Sequence, residues 1–473
     1  MAIQNSIATL VGWATSHGAT LHPSIEVYQD AQTGLSFRVK PSAKSPVQPY
    51  EPIVQLPTSL TLSYFNAVSE QGTTSSGPSA FPNDFLTRAA PHVVGRLFLI
   101  KEYLKGDKSF WHPYIQALPQ PGEANKADWA LAPFWPDDEA ELLEGTNVEV
   151  GIDKIRNDVK RDLKQARELL CLHGAGDADA EAFNKALTTE LYQWAYCIFS
   201  SRSFRPSLVL SEKQQRLLPP GVGMDDFSVL LPLFDIGNHD MTTEIRWDLD
   251  NDQQHCSLKV GRTHKPGQQV FNNYSMKTNA ELLLGYGFML PATKELHNDY
   301  THVRKRTTTA PQASEEYLIS LRPLSHPSSI LGRSKQSLTL DPSTKVLGSF
   351  KHVQPEMVWD IFCTLTTPEQ RGVLIPVPEG TASEKYQRDR FFSGRVDGEA
   401  RMFLQQTVAI IQHKVLQELE RLSETDVEVV GGDEGDLTRN QRLALDYRGR
   451  CRKVLEGVLE SMSGDEIFDD DYE

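Results

Sequence analysis

The chain has few cysteines and none of them paired. Five (Cys171, Cys197, Cys256, Cys363, Cys451) are spread over 473 residues, with no Cys-x-x-Cys and no histidine pair at ligand spacing. That pattern argues against a disulfide framework or a zinc site, and it points to a reducing compartment, the cytoplasm or nucleus. Long apolar runs are also missing: nothing approaches the ~18 residues of a membrane span. The opening MAIQNSIATLVGWATSHGA lacks a basic segment and a small-residue cleavage site, so it reads as mature sequence. Basic charge is not in surplus. The 48 Lys and Arg are outnumbered by 63 Asp and Glu, a net charge of −15. This argues against a nucleic-acid partner and suits a basic protein partner, although many acidic enzymes have none. A phosphate-cradling loop between strand and helix is not found. Its nearest candidate, HGAGDADAE from His173 to Glu181, follows a helix and is crowded by acids. His239, His255 and His264 stand apart in strands and turns, so no metal is expected.

What is present reads as two domains, since 473 residues exceed one ordinary core. A short amphipathic helix covers about Ile7 to Ala19. VYQDAQTGLSFRVK and EPIVQLPTSLTLS read as short strands, and EQGTTSSGPS as a polar, mobile loop. From Pro82 the pattern turns helical. VVGRLFLIKEYLKG is one helix, about Glu149 to Leu172 a second, and KALTTELYQWAYCIFSSRSF a third with Leu187, Leu191, Trp194 and Ile198 on one face. Strands return with FSVLLPLFDI, IRWDLD, HCSLKV and QQVFNNY. Beyond about Asp299 the chain becomes mixed and then helical, ending in two long helices joined by the acidic SETDVEVVGGDEGD as an antiparallel hairpin, then the acidic tail SGDEIFDDDYE. Strands, a helical insertion, strands and a helical domain do not make the alternating rhythm of a doubly wound sheet.

Two segments carry chemistry. LLPLFDIGNHD (Leu230–Asp240) is an apolar run that ends abruptly in polar groups. About 35 residues later comes NYSMKTNAELLLGYGF (Asn273–Phe288), where Thr278 and Glu281 have capping-box spacing and start a helix at Asn279. Tyr274 should end a strand. Tyr286 should follow the helix, between Gly285 and Gly287, where the backbone can bend.

Taken together, DIGNH and NNYSMKTNAELLLGYGF resemble the paired C-terminal motifs of SET-domain methyltransferases, in the branch of the Rubisco large-subunit lysine methyltransferase. RLFLIKEYLKGDKSFWHPYIQALP, FWPDDEAELLEGT and SSRSF are similar to further elements of that branch, in the same order, over about Trp13 to Tyr300. The resemblance implies an α+β fold: a β-rich SET domain over 1–298, split by a helical insertion at about 82–223, with C-terminal SET motifs at 226–290. An all-α substrate-binding domain with an acidic tail follows over 299–473. It further implies S-adenosylmethionine as cofactor. Thr33, Gly34, Leu35, Arg202, Asn238, His239, Tyr274 and Phe288 would hold it, with Arg202 suited to its carboxylate. Tyr274 and Tyr286 would be the catalytic tyrosines, and Asp235 a structural acid. The implied activity is methylation of a lysine in a non-histone, basic protein, with ribosomal and translation proteins foremost.

DAQTGLSF (Asp30–Phe37) departs from the branch's first cofactor motif. Ala31 stands at its acidic position and Gln32 at its first glycine, while Gly34 and Leu35 match. Tight cofactor binding is therefore an open point. A SET-scaffold adaptor with a weakened pocket is one alternative, and a histidine methyltransferase another.

Overall fold

The computed structural model describes residues 2–68, 80–174, 176–216, 218–250, 254–304, 316–380, 382–426, 435 and 437–465. The loop at 70–79, most of the acidic connector between the last two helices and the tail from 466 lie outside the described residues.

The chain forms two compact units. Met1–Phe134 with Lys154–Met276 make the first, and Trp135–Asp153 with Lys277–Glu473 the second. The backbone thus passes between units three times.

Among the described residues the first unit holds ten short strands: β1 (Thr20–Leu21), β2 (Ile25–Asp30), β3 (Gly34–Val39), β4 (Pro52–Pro57), β5 (Leu62–Ser63), β6 (Ser203–Phe204), β7 (Val229–Leu230), β8 (Ile245–Leu249), β9 (His255–Val260) and β10 (Gln269–Val270). They form three small sheets, ordered β1-β4-β9-β8, β10-β3-β2 and β5-β7-β6. In the β2–β3 hairpin Asp30 faces Gly34, and Gly34 at φ +77° takes the left-handed turn that side chains resist. Phe37 and Val39 from β3 and Val54 and Leu56 from β4 are buried in one apolar cluster. Each such side chain contributes about 1.5–3 kcal/mol.

The expected insertion helices form, with one difference. Glu149–His173 is one long helix whose Val159, Leu163, Ala166 and Leu170 enter the core at helical spacing. The expected 185–204 helix is divided: one helix ends at Ala186, and another runs Thr189–Arg202, capped by the Thr188 hydroxyl accepting from the Leu191 amide. Thr188 prefers the cap to the helix interior, so Leu187 is buried outside the helix. The expected FSVLLPLFDI strand shrinks to β7. Pro232 offers no N–H, Leu233 turns left-handed at φ 73°, and Phe234–Ile236 form a 3-10 turn. The run is buried all the same, as a strand end and a bend.

The second unit is mainly helical. Pro355–Leu365, Glu399–Glu424 and Arg439–Ser463 pack in one cluster together with residues of the antiparallel pair β11 (Tyr300–Arg304) and β12 (Glu316–Ser320). That pair is a β element in a region expected to be all-α. Arg448 donates to the Leu422 carbonyl near the end of the first long helix (2.7 Å), satisfying a group that helix leaves open. The Trp135–Asp153 segment is held by the last helix. Buried Glu139 accepts from Thr438 Oγ1 (2.6 Å) and Asn440 Nδ2 (2.7 Å), Tyr447 donates to Asn147 (2.6 Å), and Arg448 donates to the carbonyls of Leu142 and Glu144.

Candidate active site

The segments 237–243 and 272–274 are laced together in the first unit. Asn272 N–H donates to the Asn238 carbonyl (2.7 Å) and Asp240 N–H to the Asn272 carbonyl (2.9 Å), making a single parallel bridge between His239 and Asn272. Asn273 Nδ2 donates to the carbonyls of Met241 and Thr243. β10 stops at Val270, so Tyr274 leaves this bridge rather than the end of a strand. Its N–H donates to His239 Nδ1 (3.0 Å), which places the imidazole proton on Nε2. The two rings stack at 5.0 Å and 13°, and the Tyr274 hydroxyl donates to the Gly237 carbonyl (2.8 Å). That bond commits the phenolic proton, so toward any further group the oxygen can act only as an acceptor. Ser275 follows at φ 78° and Leu233 precedes at φ 73°, so each motif carries a left-handed non-glycine residue at a bend.

Asn238 joins a third segment to these two, since its Nδ2 donates to the Leu35 carbonyl (3.1 Å). A Cβ built on Gly34 would meet no atom within 4 Å, so the backbone there borders open space.

Arg202 is the last residue of its helix. Its Nη1 donates to the Asp235 carbonyl (3.3 Å) and Oδ2 (3.4 Å), and its side chain is 29% exposed. Asp235 also accepts from the buried Tyr114 hydroxyl (3.1 Å). Burial pushes the Asp235 carboxyl up against the pull of Arg202 and Tyr114, and the Tyr114 hydroxyl rises by burial and then the Asp235 charge. One long contact to Arg202 does not offset removal from water.

The structure thus brings Gly34, Leu35, Asn238, His239 and Tyr274 together, and it steers Arg202 through Asp235, three residues before Asn238. Thr33 lies on the exposed β2–β3 turn. Tyr286 and Phe288 belong to the second unit. The capping box forms as expected, Thr278 with Glu281, and the helix runs Asn279–Tyr286. Tyr286 is its last residue rather than a residue beyond it, with Gly287 left-handed at φ 73°. The Tyr286 ring lies 5.6 Å from Lys277 Nζ and meets Phe288 edge-on at 6.3 Å. Burial, then the Glu281 charge, raises the Tyr286 hydroxyl pKa. Among the described residues no group of three or more His, Cys, Asp or Glu could hold a metal ion, and no helix is long and apolar enough to cross a membrane.

The SET domain of LSMT solved with lysine and AdoHcy superimposes with a TM-score of 0.61 at 16% identity, over 99% of this chain and 94% of that one. Rubisco LSMT solved with AdoMet gives 0.58 at 18% identity, with the same coverage. The fold is therefore the SET fold seen in Rubisco LSMT. In sequence, the chain is 28% identical over 280 residues to the ribosomal lysine N-methyltransferase set10 of Schizosaccharomyces pombe, covering 59% of this chain and 45% of that protein. It is 25% identical over 327 residues to the protein-lysine N-methyltransferase EFM1 of Saccharomyces cerevisiae, covering 61% and 50%. An actin-histidine N-methyltransferase of Otolemur garnettii is 23% identical over 288 residues, 60% of this chain and 42% of that protein. The matches span about half the length of these relatives. No family model matches.

Within the SET fold, several positioning groups escape sequence reasoning. Gly237 offers only a carbonyl, which no motif records. A Cβ there would come within 3.1 Å of Asn272 Cβ. Tyr114 stood in the quoted SFWHPYIQALP stretch, but its link to Asp235, 121 residues away, is visible only in three dimensions.

Proposed function

We propose that this chain is an S-adenosylmethionine-dependent protein-lysine N-methyltransferase acting on a non-histone protein, with ribosomal and translation proteins as the substrate class. Residues 1–298 would carry the transfer and 299–473 would dock the substrate, in the cytoplasm or nucleus, where such proteins are made and assembled. The observation that carries the reading is the crossing of 237–243 with 272–274 against Leu35, with Tyr274 locked to Gly237 and Arg202 set by Asp235. Two fungal relatives named as lysine methyltransferases support lysine over histidine, being more similar than the actin-histidine enzyme.

The donors present fit the cofactor. Arg202 spends Nη1 on Asp235 and keeps its other nitrogens for a carboxylate, and the Gly34 backbone is open to a close approach. When bound, the cofactor supplies a methyl group on a positively charged sulfur. The chain's residues must then present an uncharged amine. A lysine of pKa about 10.4 is neutral only a few times in ten thousand at pH 7, a handicap of roughly 4–5 kcal/mol. An apolar lining beside the acceptor would lower it by disfavouring the ammonium. Tyr274, with its proton committed to Gly237, can orient the reacting groups as an acceptor, so the catalysis is mostly positioning.

Titrating the purified protein with S-adenosylmethionine, followed by labelled-methyl transfer into extract from cells lacking it, tests the reading. Micromolar binding and label on a lysine are expected. Absence of binding would leave a SET-scaffold adaptor, and label on a histidine would change the acceptor.

A further inference from the structure

The first cofactor motif lacks its acid and its first glycine, yet its backbone is well tied. Asp30 Oδ1 accepts from the Gln32 N–H, the Thr33 N–H and the Thr33 hydroxyl, each at 2.9 Å. Oδ2 accepts from the Tyr28 hydroxyl at 3.1 Å. From across the sheet, Gln269 Nε2 on β10 donates to Thr33 Oγ1 (3.1 Å) and Ser36 Oγ (2.8 Å). Thr33 is therefore gripped from both sides, by the carboxylate it donates to and the carboxamide it accepts from. Asn238 fixes the next carbonyl, at Leu35. Gly34 sits between these ties with open space beside it.

We infer that Asp30, assisted by Gln269, is a positioning residue for the cofactor, holding the Thr33–Leu35 backbone in the shape that the substituted Ala31 and Gln32 no longer secure. The inference rests on the proposed function, because it takes that backbone to meet the cofactor. Asp30 is half-buried at the end of β2 and its ties are local, so they matter little to the global fold and much to one strap of chain. A strap ordered beforehand does not have to be ordered by the ligand, and the saving appears as affinity. The donors also hold the Asp30 carboxyl below its usual range, the Thr33 and Gln32 amides foremost. The oxygen they need is one that asparagine also offers.

The test is calorimetric titration of the full chain with S-adenosylmethionine and S-adenosylhomocysteine, alongside steady-state methyl transfer. For Asp30→Ala, loss of the four hydrogen bonds the carboxylate accepts should weaken both ligands by roughly fivefold to tenfold. KM for the cofactor should rise in step, with kcat at saturation within about twofold and the melting temperature within about 2 °C. Asp30→Asn should bind within about twofold of wild type, because its amide oxygen replaces Oδ1. Gln269→Ala should weaken binding in the same direction, and the double variant by less than the product, since both act through Thr33. Unchanged affinity in Asp30→Ala while wild type binds, or equal damage from Ala and Asn, overturns the inference and leaves the proposed function standing. Wild type that binds neither ligand overturns both.

Discussion

The contacts that hold Tyr274 include its N–H on His239, its ring on the imidazole and its hydroxyl on the Gly237 carbonyl. Tyr274→Phe keeps the first two. Turnover should fall at least roughly tenfold while cofactor affinity changes by less than about threefold, and stability drops by about 1 kcal/mol for the orphaned carbonyl. Equal turnover in the two proteins would remove Tyr274 from the chemistry. Asp235 offers a contrasting case. Its carboxylate is buried at a cost, so Asp235→Asn should melt no lower than wild type near pH 7. Its grip on Arg202 loosens, and cofactor binding should weaken. Paired melting and titration curves separate the two effects. If melting falls as far as binding weakens, the carboxylate acts as a structural anchor and not through Arg202.

At the level of elements, motifs with a local cause were legible. The Thr278–Glu281 capping box marked the start of its helix at Asn279. Segments shaped by distant partners were not. β7 is short because Pro232 and Leu233 bend the chain toward the crossing, and β10 ends where Asn272 leaves to meet His239. Asn238, His239 and Tyr274 could be named from order in the chain, whereas their hydrogen bonds to Leu35 and to one another could not. The β11–β12 pair brings a different sensitivity. His297 is buried, with Nε2 against Ser329 Oγ (3.1 Å) and Ser320 Oγ (3.4 Å). Burial, then the charges of Arg322, His326 and His352, lowers its pKa to about 4. The unfolded chain binds that proton below about pH 6.5 and the native chain does not. Stability is therefore whole above about 6.5 and drains as pH falls toward 4, by about 2 kcal/mol between pH 7 and 5. Urea unfolding at several pH values should show this slope, flattened in His297→Gln. An identical slope in the variant would assign it to other groups.

For the molecule as a whole, a net charge of −15 would give the proposed basic substrate protein a long-range attraction. The ratio kcat/KM should fall as salt rises past about 0.1 M, where screening reaches roughly 10 Å, while kcat at saturation holds. A salt-independent ratio would argue against a basic partner. A different constraint follows from the three passages of backbone between units. Nineteen residues in the middle of the sequence, Trp135–Asp153, finish the second body and take their hydrogen bonds from the last helix. Severing the chain once, anywhere near residue 298, would strand that middle piece with a buried Glu139 stripped of its donors. Neither half could then be inherited, borrowed or lost as a separate module without first rebuilding the seam.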